Sequence, residues 1–180
     1  MIIGLHGKMK SGKGEATSVI CSSFGYIELR FAQALKDMTA TLLGVDPLDL
    51  EDQKFKETEV PWIGGGVTPR KLMQTLGTEW GRNIDKDLWV KKTLSQAALY
   101  DKVVISDVRF ENELYAIQDA GGIVIRIKRP MKRVGPEHEH VSETALDHIS
   151  DAEFNHTIDN EGTLSQFISK VYNIMDSIRY

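Results

Sequence analysis

The chain has 180 residues, 41% of them hydrophobic, and its 22 basic and 26 acidic side chains leave a formal charge of −4. That length buries about two-thirds of the unfolded surface in one core without disulfides, and the negative balance excludes a global attraction to nucleic-acid polymers or anionic membranes. Cys21 stands alone, which excludes an internal disulfide and fits a buried thiol in a reducing compartment. With no basic-then-apolar leader and no apolar run of spanning length, the expectation is a cytoplasmic protein.

The apolar run Ile2 to Leu5 predicts a first strand, and Gly7-Lys8-Met9-Lys10-Ser11-Gly12-Lys13 follows it with the spacing G-x-x-x-x-G-K. Such a loop, between a strand and a helix expected over 14–23, wraps backbone N–H groups around phosphate oxygens. The helix adds its positive end, and Lys13 reaches the terminal phosphates. Gly14 stands where a Ser or Thr usually binds magnesium, and Glu15 follows it. Glu15 either orients hydrated magnesium or favours the helix N-terminus from its solvent side.

Tyr26 to Arg30 reads as a second strand, and Phe31 to Leu43 as a helix with Leu35, Met38 and Leu42 on its apolar face. Residues 46–66 are polar and irregular, with Gly64-Gly65-Gly66 as a connection inside the domain. Thr68-Pro69 opens a helix expected to reach Trp80, and Asp87 caps another through Tyr100. Val103 to Asp107 predicts a buried strand, Glu111 to Ala120 a helix, Ile123 to Ile127 a strand and His156 to Ile158 a short last strand. Leu164, Phe167, Ile168, Val171, Met175 and Ile178 mark the core face of a final helix. This alternation predicts a three-layer α/β fold on a mainly parallel sheet, with ligands beyond the C-terminal ends of the strands.

Arg70, Gln74 and Thr78 share one face of the Thr68-Pro69 helix, opposite Leu72, Leu76 and Trp80. Arg70 suits a phosphate and the Gln74 amide can read a base, unless the face is merely solvated. Lys36 is either a surface cation or a second phosphate contact. Asp107, at a strand exit, can position a metal or an acceptor, or can form a structural pair with Arg109. Arg126, Lys128, Arg129, Lys132 and Arg133 form a basic segment entering Pro130 and Gly135. It suits a mobile lid over a phosphoryl group better than a nucleic-acid patch, because it lacks interleaved aromatic residues. His138 and His140 flank Glu139 without the spacing of a metal motif. Trp62, Trp80 and Trp89 can stack on a base, but packing is the expected role of each.

Taken together, G-K-M-K-S-G-K-G, F-A-Q-A-L-K, T-P-R-K-L-M-Q-T-L-G-T-E-W-G-R, V-I-S-D-V-R-F-E-N-E and the late D-N-E-G-T-L resemble phage deoxynucleoside monophosphate kinases. The resemblance spans most of the chain and implies a P-loop kinase fold. It implies a single domain, 1–180, with an acceptor-binding insertion at about 31–100 and a lid at about 129–146. The implied activity is magnesium-dependent transfer of the terminal phosphate of ATP to a deoxynucleoside monophosphate. By the same resemblance Gly7, Lys10, Ser11, Gly12, Lys13, Gly14 and Glu15 surround the ATP phosphates, and Asn160 and Gly162 lie near the adenine. Lys36, Arg70 and Gln74 hold the monophosphate. Lys13, Asp107, Arg109, Arg129 and Arg133 serve the transfer, with Asp107, and Glu15 through water, toward magnesium. A homodimer is compatible with this reading, and host cytoplasm is implied if the chain is phage-encoded. The alternatives are a kinase of another phosphorylated acceptor, of the phosphomevalonate or dephospho-coenzyme A type, and a nucleotide-binding module without catalysis.

Overall fold

The apolar run at the start becomes strand β1 (Ile2–Gly7), central in the sheet of a computed structural model that describes residues 1–130 and 141–178. Ile3 and Leu5 are fully buried on one face. Gly4 faces the other, where a Cβ would stand 2.8 Å from Ile117 and 3.0 Å from Val108. A strand covered on both faces needs apolar or small residues at every position, which is why the run does not alternate with polar residues. β2 (Ile27–Leu29), β3 (Val103–Val108), β4 (Ile123–Lys128) and β5 (His156–Asp159) complete the order β2-β3-β1-β4-β5. The sheet, expected to be mainly parallel, is parallel at every pairing.

The chain divides into two compact units, Met1–Arg30 with Thr93–Tyr180, and Phe31–Lys92. In the first, α1 (Lys13–Phe24) and α9 (Leu164–Ser177) cover the face of Ile3 and Leu5. Ile20, Phe24, Phe167, Val171 and Met175 pack there against Val104, Ile125 and Ile158. α7 (Glu111–Asp119) covers the opposite face through Ile117, and α8 (Val141–Thr144) is a single turn before β5. Leu164, expected in the core stripe of α9, is 60% exposed. It opens the helix directly after Thr163, whose hydroxyl caps Gln166 N–H while the Gln166 amide oxygen accepts from Thr163 N–H at 2.9 Å.

His6 is buried in β1, opposite Val108 after a bulge, and its Nδ1–H donates to the Val108 carbonyl at 2.9 Å. Its ring stacks on Phe154. Burial, which the Val108 hydrogen bond only partly offsets, holds its pKa down to about 4, with Arg126, Lys13 and Lys8 adding repulsion. Above pH 6.5 the ring is neutral in both folded and unfolded chains. As pH falls from 6.5 to 4 the unfolded chain gains a proton that the folded one refuses, so stability drops by about 3 kcal/mol across that window. Denaturant melts at stepped pH should show this loss, and His6→Gln should flatten that part of the profile.

The second unit is helical. α2 (Gln33–Leu43) leads to a 3-10 turn (Pro47–Glu51) and α3 (Gln53–Glu57), so the stretch expected to be irregular carries two short helices, capped by the Asp46 and Asp52 carboxylates. In α2 the buried residues are Thr39 and Ala40, whereas Met38 and Leu42, expected to be apolar contacts, are exposed. Gly64, Gly65 and Gly66 all have positive φ, a path open to glycine. The helix expected from Thr68 to Trp80 is α4 (Pro69–Gln74) followed by a π-helical turn (Thr75–Gly81) and α5 (Arg82–Ile84). Trp89, on α6 (Leu88–Ala97), accounts for that turn. Its indole N–H donates to the Gly77 carbonyl at 2.8 Å, and its ring lies where a Cβ on Gly81 would be, 2.3 Å from Cζ2. Gly81 makes room for the ring, Gly77 gives way instead to Leu35, which a Cβ there would meet at 2.8 Å, and the wider turn leaves the Gly77 carbonyl for the indole. Trp89 packs as expected, but Trp62 and Trp80 are exposed.

Candidate active site

The loop after β1 is shaped by contacts that exclude side chains. A Cβ on Gly7 would lie 2.5 Å from Ser11 Oγ and 2.6 Å from the Ile127 carbonyl. Lys10 takes φ 61° and Gly12 φ 112°. These left-handed residues turn the chain sharply into α1, the concave backbone geometry that binds anions. Asn160, just beyond β5, clamps the loop: its Nδ2 donates to the Ser11 carbonyl at 2.8 Å while its backbone N–H donates to Lys128 at 2.7 Å. The Ser11 hydroxyl is buried without a hydrogen-bond partner among the described residues.

Lys13 bends back over the loop, its ammonium donating to the carbonyls of Gly7 at 2.5 Å and Lys8 at 2.9 Å. Desolvation pushes its pKa down to about 7; Arg109 repels the charge, Asp107 attracts it and Lys8 repels it. Asp107 and Arg109, at the end of β3 and just after it, therefore both act electrostatically on the Lys13 ammonium. The V-R-F-E-N-E stretch has its own structural reason. Buried Glu113 accepts the backbone N–H of Arg109 at 2.7 Å and of Phe110 at 3.1 Å, fixing the turn from β3 into α7.

Gly14 and Glu15 open α1 and are exposed. The nearest hydroxyl on that helix, Thr17 Oγ1, donates to the Lys13 carbonyl at 2.8 Å. Among the described residues no group of three or more His, Cys, Asp or Glu side chains forms a metal cage. The donor set instead fits magnesium arriving with phosphates, which needs one or two carboxylates from the protein, and half-buried Asp107 at the strand end suits it. A pocket of about 390 Å³ lies along the end of β5 and the start of α9, lined by Asp159, Asn160, Gly162, Gln166 and Phe167.

The sequence leaves two contacts unforeseen. Glu143, on α8, is buried and pairs with Arg109, while Lys8 of the loop donates to the Glu143 carbonyl and pairs with Asp147. Of the basic segment, Arg126 donates to the carbonyls of Ile149 and Leu146 and meets Asp151 at 3.2 Å, and Lys128 meets Asp151 at 2.6 Å. These two cations brace β4 and are not part of a lid. Arg129 is exposed; Lys132, Arg133, His138 and His140 lie outside the described residues.

In the second unit, Lys36 pairs with Glu51, and Arg70 pairs with Glu57 and donates to Gln53 at 2.8 Å. Arg70 thereby ties α4 to α3. Gln74 is half-buried at the last position of α4, one turn beyond Arg70.

Residues 57–171 match the family described as deoxynucleotide monophosphate kinase. The chain belongs to that family. Across 98% of its length it is 32% identical to a protein of Acanthamoeba polyphaga mimivirus, named provisionally as a deoxynucleotide monophosphate kinase, of which it covers 97%. Over 59% of its length it is 31% identical to the deoxynucleotide monophosphate kinase of Enterobacteria phage T4, covering 44% of that protein. Among solved structures, dephospho-CoA kinase from Campylobacter jejuni superposes with a TM-score of 0.55 at 16% identity, covering 98% of this chain and 96% of that one. Shikimate kinase from Aquifex aeolicus superposes with 0.51 at 15% identity, covering 99% and 98%. These two share the fold, an α/β P-loop kinase architecture on a parallel sheet. As for membranes, no helix among the described residues is long and apolar enough to cross one.

Proposed function

We propose that this member of the deoxynucleotide monophosphate kinase family transfers the γ-phosphoryl group of ATP to a deoxynucleoside monophosphate, giving the diphosphate and ADP. The observation that carries the reading is the family match over 57–171, which includes Arg70, Gln74, Asp107 and Arg109. The loop Gly7–Lys13 with Gly14 is assigned to the donor phosphates, Lys10 among them exposed and Ser11 buried. Asn160 and Gly162, in the pocket beside the loop, are assigned to the adenine side. Arg70 and Lys36 are assigned to the acceptor phosphate and Gln74 to the base.

An acceptor phosphate oxygen attacks the γ-phosphorus in line as the bond to the β-γ bridging oxygen breaks and ADP leaves. A monophosphate is largely dianionic near neutral pH, so no general base is required. Lys13 donates to the transferring group, while Arg109 and the exposed Arg129, with Arg133, neutralise charge on its oxygens. Asp107, and Glu15 through water, would hold Mg²⁺, which would supply positive charge to offset that of the phosphates when bound. The viral relatives support work in the cytoplasm of an infected host.

The test is a panel of the four deoxynucleoside monophosphates with ATP and Mg²⁺, scored as diphosphate formed. No turnover with any base would overturn the proposal. In the same assay Arg70→Ala should raise KM for the monophosphate about tenfold to a hundredfold and leave KM for ATP unchanged, the loss of a charge-assisted fork to phosphate. An equal rise for both substrates would reject the acceptor role.

A further inference from the structure

One buried cation in the second unit has no role in the assignments above. Lys56, on α3, is 9% exposed, an unusual position for a lysine, since a desolvated ammonium is costly unless an anion accompanies it. Its like-charged neighbours have acids of their own: Lys36 has Glu51, and Arg70 has Glu57. Among the described residues no hydrogen bond or ion pair engages the Lys56 ammonium. Burial, then the charges of Arg70 and Lys36, push its pKa below the ordinary lysine value, against the weaker pull of Glu51 and Glu57. Arg70 and Lys36, from α4 and α2, thus both repel the Lys56 ammonium, and of the three cations the buried one is that without a paired acid among the described residues.

We propose that Lys56 is a third phosphate-binding residue, its ammonium donating to the 5′-phosphate of the nucleotide acceptor beside Arg70 and Lys36. The proposal rests on the reading that those two residues hold the monophosphate. A phosphate near −2 supplies the counter-charge that the cluster lacks. Arg70 brings a planar fork held in place by α3, and Lys56 brings a point charge whose burial strengthens its attraction to an anion. A lysine whose stem merely packs would behave differently, because replacing it with an apolar side chain of similar length would keep the packing and leave phosphate affinity alone.

Lys56→Met makes that distinction. Expected is a rise of about tenfold to a hundredfold in KM for the monophosphate, with KM for ATP and the equilibrium affinity for the corresponding deoxynucleoside, which lacks the phosphate, both unchanged. Lys56→Arg should recover most of the loss. Unchanged monophosphate KM, or an equal loss of affinity for the deoxynucleoside, would overturn the proposal. If Lys56→Met does not fold, the Lys56 ε-carbon resonance of the wild-type enzyme, assigned by its disappearance in Lys56→Arg, gives the answer. It should shift on adding monophosphate and stay fixed on adding deoxynucleoside; a resonance unmoved by monophosphate overturns the proposal. Arg70→Ala run in parallel separates the two readings. If Arg70→Ala raises the monophosphate KM and Lys56→Met does not, the Lys56 role alone fails. If neither does, the assignment of the acceptor phosphate to this cluster fails with it.

Discussion

Lys13→Ala should lower turnover by about a thousandfold or more while the protein melts no lower than wild type at pH 7. The loss follows from what the ammonium does. It is held at the mouth of the loop by the carbonyls of Gly7 and Lys8, where a nucleotide would replace those contacts with phosphate oxygens. Removing one donor aimed at developing charge costs about a hundredfold to a thousandfold, and losing a full positive charge beside a transferring phosphoryl group costs at least that. The stability half of the result has the opposite sign for a physical reason. Lys13 keeps its proton up to about pH 7 when folded, but to about 10.5 when unfolded. Its buried charge therefore destabilises the fold fully below pH 7, and the penalty fades as pH rises from 7 to 10.5. Alanine removes that penalty, which offsets the two lost hydrogen bonds. Kinase turnover and a thermal melt on the same sample check both halves; turnover near wild type would reject the role assigned to Lys13.

The geometry of the loop after β1 was legible in the sequence because it is local. Gly7, Gly12 and Lys13 lie within seven residues, and the glycines are required by backbone geometry that any strand-loop-helix unit must solve. The parallel sheet was legible for a related reason: strands buried on both faces must be apolar throughout, and Val103–Ile105 and Ile123–Ile125 are. What escaped notice depends on contacts distant in the chain. Asn160, placed near the adenine by resemblance alone, gives no sign in the sequence of its bond to Ser11, 149 residues away. Glu143 and Lys56 look like surface charges, since nothing in their neighbouring residues announces burial. Arg126 and Lys128 look like lid cations for the converse reason, because Asp151, which holds both, is remote in the sequence. The π-helical turn had a sequence signal in Gly77 and Gly81 inside a helical pattern, but its cause, Trp89, lies a helix away.

Gly12→Ala should destabilise the protein by about 2–4 kcal/mol and abolish nucleotide binding, whereas Gly14→Ala, two residues on, should leave stability unchanged or slightly higher. At Gly12 two costs coincide. The residue has φ 112°, a region that an L side chain enters only with strain, and its Cβ would stand 2.7 Å from Asn160 Nδ2 and 3.1–3.2 Å from the Phe167 ring. Neither neighbour can give way cheaply. Phe167 is packed in the core between α1 and α9, and Asn160 is held at both its backbone and its side chain. Relief must come from the loop backbone, and that movement turns away the N–H groups that would line the phosphate cradle, so binding is lost with stability. Gly14 lies in the first turn of α1 with nothing within 4 Å of an added Cβ. There alanine contributes helix propensity of about 0.5–1 kcal/mol. Denaturant midpoints for the two variants, with ATP titrated into each, check the contrast. Equal stability for both would mean that the Asn160 clamp does not fix the loop, and that the cradle forms only when phosphate arrives.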